Sequence, residues 1–135
     1  MENFHGHEHR VTYAETDKMG FVYYGNYLVY FEIGRTELIR ASGFAYKELE
    51  DAGYFLPVIE ATCKYHKPAR YDDLLTIRTR VSEFKGIRLG FSYEILRGEE
   101  LLAEGSTTHA FMDAEGRPKK LSIEIKDRLT RALPI

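Results

Sequence analysis

The chain has 135 residues, 44% hydrophobic and 30% charged, which is enough for one domain with a core, too short for a two-domain cofactor enzyme, and unlike a disordered or fibrous sequence. Nineteen Lys and Arg against 21 Asp and Glu leave a net charge of −2 with the signs mixed along the chain, which argues against long nucleic acid as a partner. No run approaches the roughly 20 apolar residues of a membrane span, no basic-then-apolar leader opens the sequence, and the single cysteine cannot form an internal disulfide, so a reducing, cytoplasmic setting is expected.

Residues 7–13 alternate as a strand does, and Ala14-Glu15-Thr16-Asp17-Lys18-Met19-Gly20 is a polar loop ending in glycine. From Asn26 the period changes. Tyr27, Tyr30, Phe31, Gly34, Leu38 and Ala41 recur three or four apart, with Glu32, Arg35, Glu37 and Arg40 elsewhere on the wheel. This predicts an amphipathic helix of roughly 24 Å, with Asn26 as N-cap and Ser42-Gly43 as the stop. Gly34 in its interior costs about 1 kcal/mol relative to Ala, which implies a strand packed closely against it. A helical turn over 46–50 ends at Gly53.

Strands follow at 57–66, 74–84, 87–96 and 101–112, separated by turns at 67–73, 85–86 and 97–100 that are short enough to make neighbours antiparallel. Ile87, Leu89, Phe91, Tyr93 and Ile95 alternate with Arg88, Gly90, Ser92 and Glu94, giving one buried face. Ile123, Ile125, Leu129 and Leu133 predict a short closing helix. The order is that of an α+β domain over residues 1–135, an antiparallel five-stranded sheet around a long helix. A second copy joining the two sheets is the economical way to cover what remains exposed.

The aromatic residues, ten Tyr and eight Phe with no Trp, cluster early at Tyr13, Tyr23, Tyr24, Tyr27 and Tyr30, where an apolar body with a polar tip suits a pocket or a core wall. Among them, Asp17 lies a few residues ahead of the helix start, where unpaired amides and the positive end of the dipole point outward. Such amides can polarise a carbonyl, and a nearby carboxylate can attack it or direct water at it. Spacing alone favours a loop or capping carboxylate.

The block Tyr13-x-Glu15-Thr16-Asp17-x-x-Gly20-x-Val22-Tyr23-Tyr24-x-Asn26-Tyr27, continuing to Phe31-Glu32-x-x-Arg35-x-Glu37, resembles the signature of the 4-hydroxybenzoyl-CoA thioesterase branch of the hotdog-fold superfamily. Tyr65-x-x-Pro68-Ala69-x-Tyr71-Asp72-Asp73-x-Leu75-x-Ile77 resembles its second block. The resemblance implies a hotdog fold, a homo-oligomer (dimer or tetramer), and hydrolysis of acyl-CoA thioesters with neither metal nor cofactor. It makes Asp17 the nucleophile or general base. The carbonyl-polarising amide falls on Tyr24, at a helix start formed with Gly25 and Asn26. Many relatives, the Tol-Pal-associated thioesterases among them, carry His there, so the role rests on the Tyr24 N–H, with its ring as pocket wall. Lys85 and Arg88, flanking a hairpin turn, are the candidates for the coenzyme A phosphates; Lys64, Lys67 and Arg70 are alternatives, and solvated hairpin charges are the plain reading. A non-catalytic hotdog domain binding an acyl thioester or a small aromatic ligand is the competing function, and it has no need of Asp17. Dehydratase chemistry would need an Asp and His block that is not found.

The other reactive side chains have structural readings. Cys63 alternates with Ile59, Ala61 and Tyr65 as a packed thiol. His5, His7 and His9 share one side of a strand without a carboxylate pattern to complete a metal site. His66 and His109 are strand histidines, and Glu32 and Glu37 are expected in ion pairs with Arg35 or its neighbours.

Overall fold

The computed structural model describes residues 4–133. Strand β1 (His5–Arg10) leads through a 3-10 turn at Tyr13–Glu15 to helix α1 (Asn26–Ala41) and helix α2 (Tyr46–Asp51). Strands β2 (Val58–Tyr65), β3 (Leu74–Lys85), β4 (Arg88–Arg97) and β5 (Glu100–Ala110) follow, and helix α3 (Ile123–Ala132) closes the chain. The strand expected over 7–13 is therefore displaced. Thr12 N–H donates to Glu15 Oε1 at 2.8 Å and Glu15 N–H to Thr12 O at 3.1 Å, and this reciprocal pair turns the chain out of the sheet after Arg10.

The sheet order is β1-β3-β4-β5-β2, with every neighbouring pair antiparallel. Gly86 and Gly98, with φ of 60° and 62°, supply the positive φ that the two short hairpins require. Helix α1 lies in the concave face, touching β1, β2, β3 and β4, and buries Tyr27, Tyr30, Phe31, Gly34, Leu38 and Ile39. Ile39, not Ala41, completes the stripe. Large apolar side chains such as Phe31 each contribute roughly 2–3 kcal/mol on burial.

Two glycines let the helix settle. A Cβ on Gly34 would collide with Thr79 Oγ1 and lie 2.7 Å from Ile77 Cγ2, so β3 makes the close approach that the sequence implied. A Cβ on Gly105 would collide with Thr62 O and lie 2.7 Å from the Phe31 ring, which stacks on Tyr93 with centroids 4.3 Å apart.

Helix α3 starts where Ser122 Oγ accepts from Ile125 N–H at 3.2 Å, and it sends Leu129 into the core. Ile123, counted in its apolar face, is 82% exposed. At the sheet's other edge β2 pairs with β5 alone, leaving Val58 exposed beside Leu28 and Val29 of α1, with Ile59 exposed as well. Among the described residues no helix is long and apolar enough to cross a membrane.

Candidate active site

Asp17 organises its own loop. Its Oδ1 accepts from Met19 N–H at 2.9 Å and Phe21 N–H at 3.2 Å, while its N–H donates to Phe21 O at 2.8 Å. Gly20, at φ 82°, makes the reversal possible. Val22 N–H then donates to Ala69 O at 2.8 Å, pinning the loop to the turn before β3, and the Arg70 guanidinium lies 4.8 Å from the Phe21 ring centre. The carboxylate is held by one oxygen. Among the described residues Oδ2 has no hydrogen-bond partner.

Beyond the loop the chain enters α1 with its first amides already used, Asn26 N–H donating to Tyr23 O at 2.9 Å, Tyr27 N–H to Tyr24 O at 3.3 Å and Leu28 N–H to Gly25 O at 3.2 Å. Gly25 is the cap, already helical at φ −65° and ψ −23°, so Asn26 is the first helical residue and not the N-cap expected. Its Nδ2 instead donates to Glu15 O at 2.9 Å, an acceptor that only the folded loop presents. Among the described residues no acceptor takes the Tyr24 N–H. The Tyr24 carbonyl accepts from Tyr65 O–H at 2.9 Å, and the exposed Tyr24 ring packs edge-on to Tyr65. Asp17, Tyr24, Tyr27 and Tyr65 together wall a mostly apolar cavity of about 300 Å³.

Glu15, two residues before Asp17, is the densest polar node nearby. Its carboxylate accepts from Thr12 N–H and from Tyr30 O–H at 3.3 Å, and pairs with His9 Nε2 at 2.9 Å; its carbonyl accepts from Tyr23 N–H at 2.9 Å. Burial pushes this carboxyl up, but the Thr12 and His9 hydrogen bonds outweigh burial and hold it below the usual range.

Compared with known proteins, residues 11–133 match the thioesterase-like superfamily. The chain belongs to that superfamily. YneP of Bacillus subtilis, provisionally named an acyl-CoA thioesterase, is 38% identical over 80% of this chain and 79% of its own. The acyl-CoA thioesterase YbgC of Haemophilus influenzae is 33% identical over 87% of this chain and 88% of its own. The solved DHNA-CoA thioesterase from Staphylococcus aureus superposes with a TM-score of 0.89 at 30% identity, covering 95% of this chain and 89% of its own. The five-stranded sheet around α1 is the hotdog fold of these enzymes, and the chain is a thioesterase.

Within one chain of this thioesterase the expected substrate-binding residues are not all gathered. Gly25 and Asn26 lie at the start of α1 between Tyr24 and Tyr27, which line the cavity, but are not themselves among its lining residues. Lys85 and Arg88 are remote: they sit at the far end of β3, roughly 35 Å of strand from the turn that anchors the Asp17 loop. There Arg88 pairs with Glu83 at 3.6 Å, beside a second cavity of about 500 Å³ lined by Ile87, Lys120, Leu121 and Lys126. Of the alternative cations, Lys67 lines the Asp17 cavity but is tied to Glu100 at 2.7 Å.

The remaining candidates are structural. His109 is fully buried and pushed down to about 4 by burial, so it is neutral. Its Nδ1 lies 3.1 Å from Leu56 O, an atom that only accepts, so Nδ1 carries the proton and Nε2 accepts from Thr107 O–H at 2.8 Å. Thr107 in turn accepts from Tyr93 O–H at 2.5 Å, and Tyr93 accepts from Arg35 Nη1 at 3.4 Å. Arg35 thus reaches Tyr93 and, among the described residues, forms no ion pair with Glu32, while Glu37 pairs with Arg40. Cys63 packs against the core, with its thiol pushed up by burial. His9 is taken by Glu15, His66 pairs with Glu104 at 2.8 Å, and no group of three metal-binding side chains occurs among the described residues. Sequence reasoning gave no role to Glu15 or Tyr65. Their signal, in hindsight, was their place inside the two motif blocks.

Proposed function

We propose that residues 1–135 act as one cytoplasmic thioesterase domain that hydrolyses acyl-CoA thioesters, of the 4-hydroxybenzoyl-CoA thioesterase branch. The observation that carries this reading is a half-free carboxylate, Asp17, sharing one apolar cavity with the unpartnered Tyr24 N–H at the start of α1. The thioester carbonyl oxygen accepts from Tyr24 N–H, where the helix dipole adds to the polarisation. With Asp17 as general base, it takes a proton from water as the water oxygen bonds to the carbonyl carbon. The C–S bond then breaks, and the thiolate of coenzyme A receives the proton. With Asp17 as nucleophile, Oδ2 bonds to the carbonyl carbon as the C–S bond breaks and the thiolate of coenzyme A leaves; water then cleaves the anhydride, freeing the acyl acid and Asp17, and a proton from that water goes to the thiolate. Neither route draws on a metal or cofactor.

The active unit in this reading is a homo-oligomer. The bare edge of β2 and the exposed Leu28, Val29, Val58 and Ile59 offer the contact surface, and a second copy is the available source of phosphate-binding cations that one chain keeps remote from Asp17. The test is thiol release from a panel of short, long and aromatic acyl-CoA thioesters by wild type and Asp17→Asn. Hydrolysis of at least one thioester, abolished in Asp17→Asn, is expected; turnover by the variant near the wild-type rate overturns the role of Asp17.

A further inference from the structure

Three segments meet at Glu15. Strand β1 contributes His9, the 3-10 turn contributes the Thr12 N–H, and the start of α1 contributes Tyr30 O–H, Asn26 Nδ2 and the neighbouring Tyr23 N–H. The first three address the carboxylate and the last two the carbonyl of the same residue. On its far side the Asp17 loop is fastened separately, by Phe21 and Val22 to the turn at Ala69 and Arg70. Between these two attachments the loop is closed on Asp17 itself, through the Met19 and Phe21 N–H groups, and therefore moves as a unit. Glu15 is the attachment that joins this unit to the helix presenting the Tyr24 N–H.

We propose that Glu15 is a positioning residue, tying the Asp17 loop to the first turn of α1 and so fixing the separation between the Asp17 carboxylate and the Tyr24 N–H. The proposal rests on the reading of Asp17 and Tyr24 given above. Glu15 touches no reacting atom; it acts through the two groups that do. A shift of about 1 Å between acid and polarising amide can cost on the order of a hundredfold in rate, because the reacting atoms leave their attack geometry. Substrate affinity depends on the cavity walls and is little changed by such a shift. The signature is a loss in kcat with KM retained.

The experiment uses the full chain and the acyl-CoA of the panel that the wild type hydrolyses fastest. In Glu15→Ala, kcat is expected to fall about 10- to 100-fold with KM within about threefold. Hydrogen exchange at the Met19, Phe21 and Tyr23 amides, followed by NMR, is expected to quicken about tenfold or more. Glu15→Gln keeps an acceptor for Thr12 N–H and Tyr30 O–H, and is expected to recover kcat to within about fivefold of wild type. If Glu15→Ala does not fold, Tyr30→Phe removes one anchor alone and is expected to show the same pattern at about a third of the size or less. Unchanged exchange at those amides in the folded variants, or kcat and KM lost in equal measure without recovery in Glu15→Gln, overturns the proposal. Asp17→Asn separates the two questions. An inactive Asp17→Asn beside Glu15 variants at wild-type kcat sinks only the positioning role. An active Asp17→Asn, or a wild type that hydrolyses no thioester, sinks the catalytic reading and leaves the exchange data to judge Glu15.

Discussion

The Asp17 loop and the chain of hydrogen bonds from Arg35 to Leu56 are both polar assemblies next to α1, yet they end differently. In the second, Tyr93, Thr107 and His109 each donate to the next group, and the series terminates on a carbonyl that can only accept. No proton is left to move. Around Asp17 the bonding stops short: one carboxylate oxygen is held by Met19 and Phe21, and among the described residues neither the other oxygen nor the N–H of Tyr24, which lines the same cavity, has a partner. The contrast supports the proposed role of Asp17 through residual hydrogen-bonding capacity rather than residue type, since the histidine is spent and the aspartate is not.

The largest expected effect divides activity from stability. Asp17→Asn should lower thioester turnover by about 100-fold or more, about 3 kcal/mol in barrier. Its side-chain oxygen still accepts the two loop amides, so the melting temperature should move by less than about 3 °C. Melting curves and turnover measured on the same samples check this, and a large loss of melting temperature would erase the contrast.

Next in size is a pH effect confined to the closed chain. His109 ionises near 6.5 when unfolded and at about 4 when folded, so between those values the unfolded state binds a proton that the native state refuses. Its stabilisation is complete above pH 6.5 and is lost as pH falls toward 4, to a total of about 3 kcal/mol. Urea unfolding across that window should show a steeper acid-side decline in wild type than in His109→Gln; parallel profiles would mean that His109 is charged or solvated.

Smaller again, Thr107→Val strands the Tyr93 hydroxyl and His109 Nε2 together and should cost about 2 kcal/mol of stability, with kcat per folded molecule unchanged. A fall in kcat would join the two assemblies into one. Least of all, Arg35→Met removes a bond already stretched to 3.4 Å and should cost under about 1 kcal/mol by chemical denaturation.

Much of this was legible in advance because the elements announce themselves by period. Alternation in β4 and the three-four spacing of α1 identified the faces that are buried, and Gly34 identified the contact with β3. The cap was misread for a physical reason: Asn26 has the side chain of an N-cap, but the Glu15 carbonyl, eleven residues earlier, claims it. Likewise nothing local in Arg35 says whether it faces Glu32 or Tyr93, because that choice is made by a strand some sixty residues on. The remoteness of Lys85 and Arg88 was available from arithmetic. A strand of 12 residues puts its two ends roughly 35 Å apart, and the Asp17 loop is fastened at the other one.

Gly34 and Gly105 each leave out a methyl group where no atom would fit, the first against Thr79 and Ile77 of β3 and the second against Thr62 O and the Phe31 ring. Tyr27 rides on the helix that both glycines admit and Tyr65 on the strand bordering Gly105, so two walls of the cavity are seated by those close approaches. An alanine at either glycine would act as a shim, forcing Thr79 and Ile77, or Thr62 and Phe31, to give way without altering any residue that lines the cavity. In the reading proposed above, acyl-chain selectivity is accordingly open to adjustment from inside the core, by thickness rather than by chemistry.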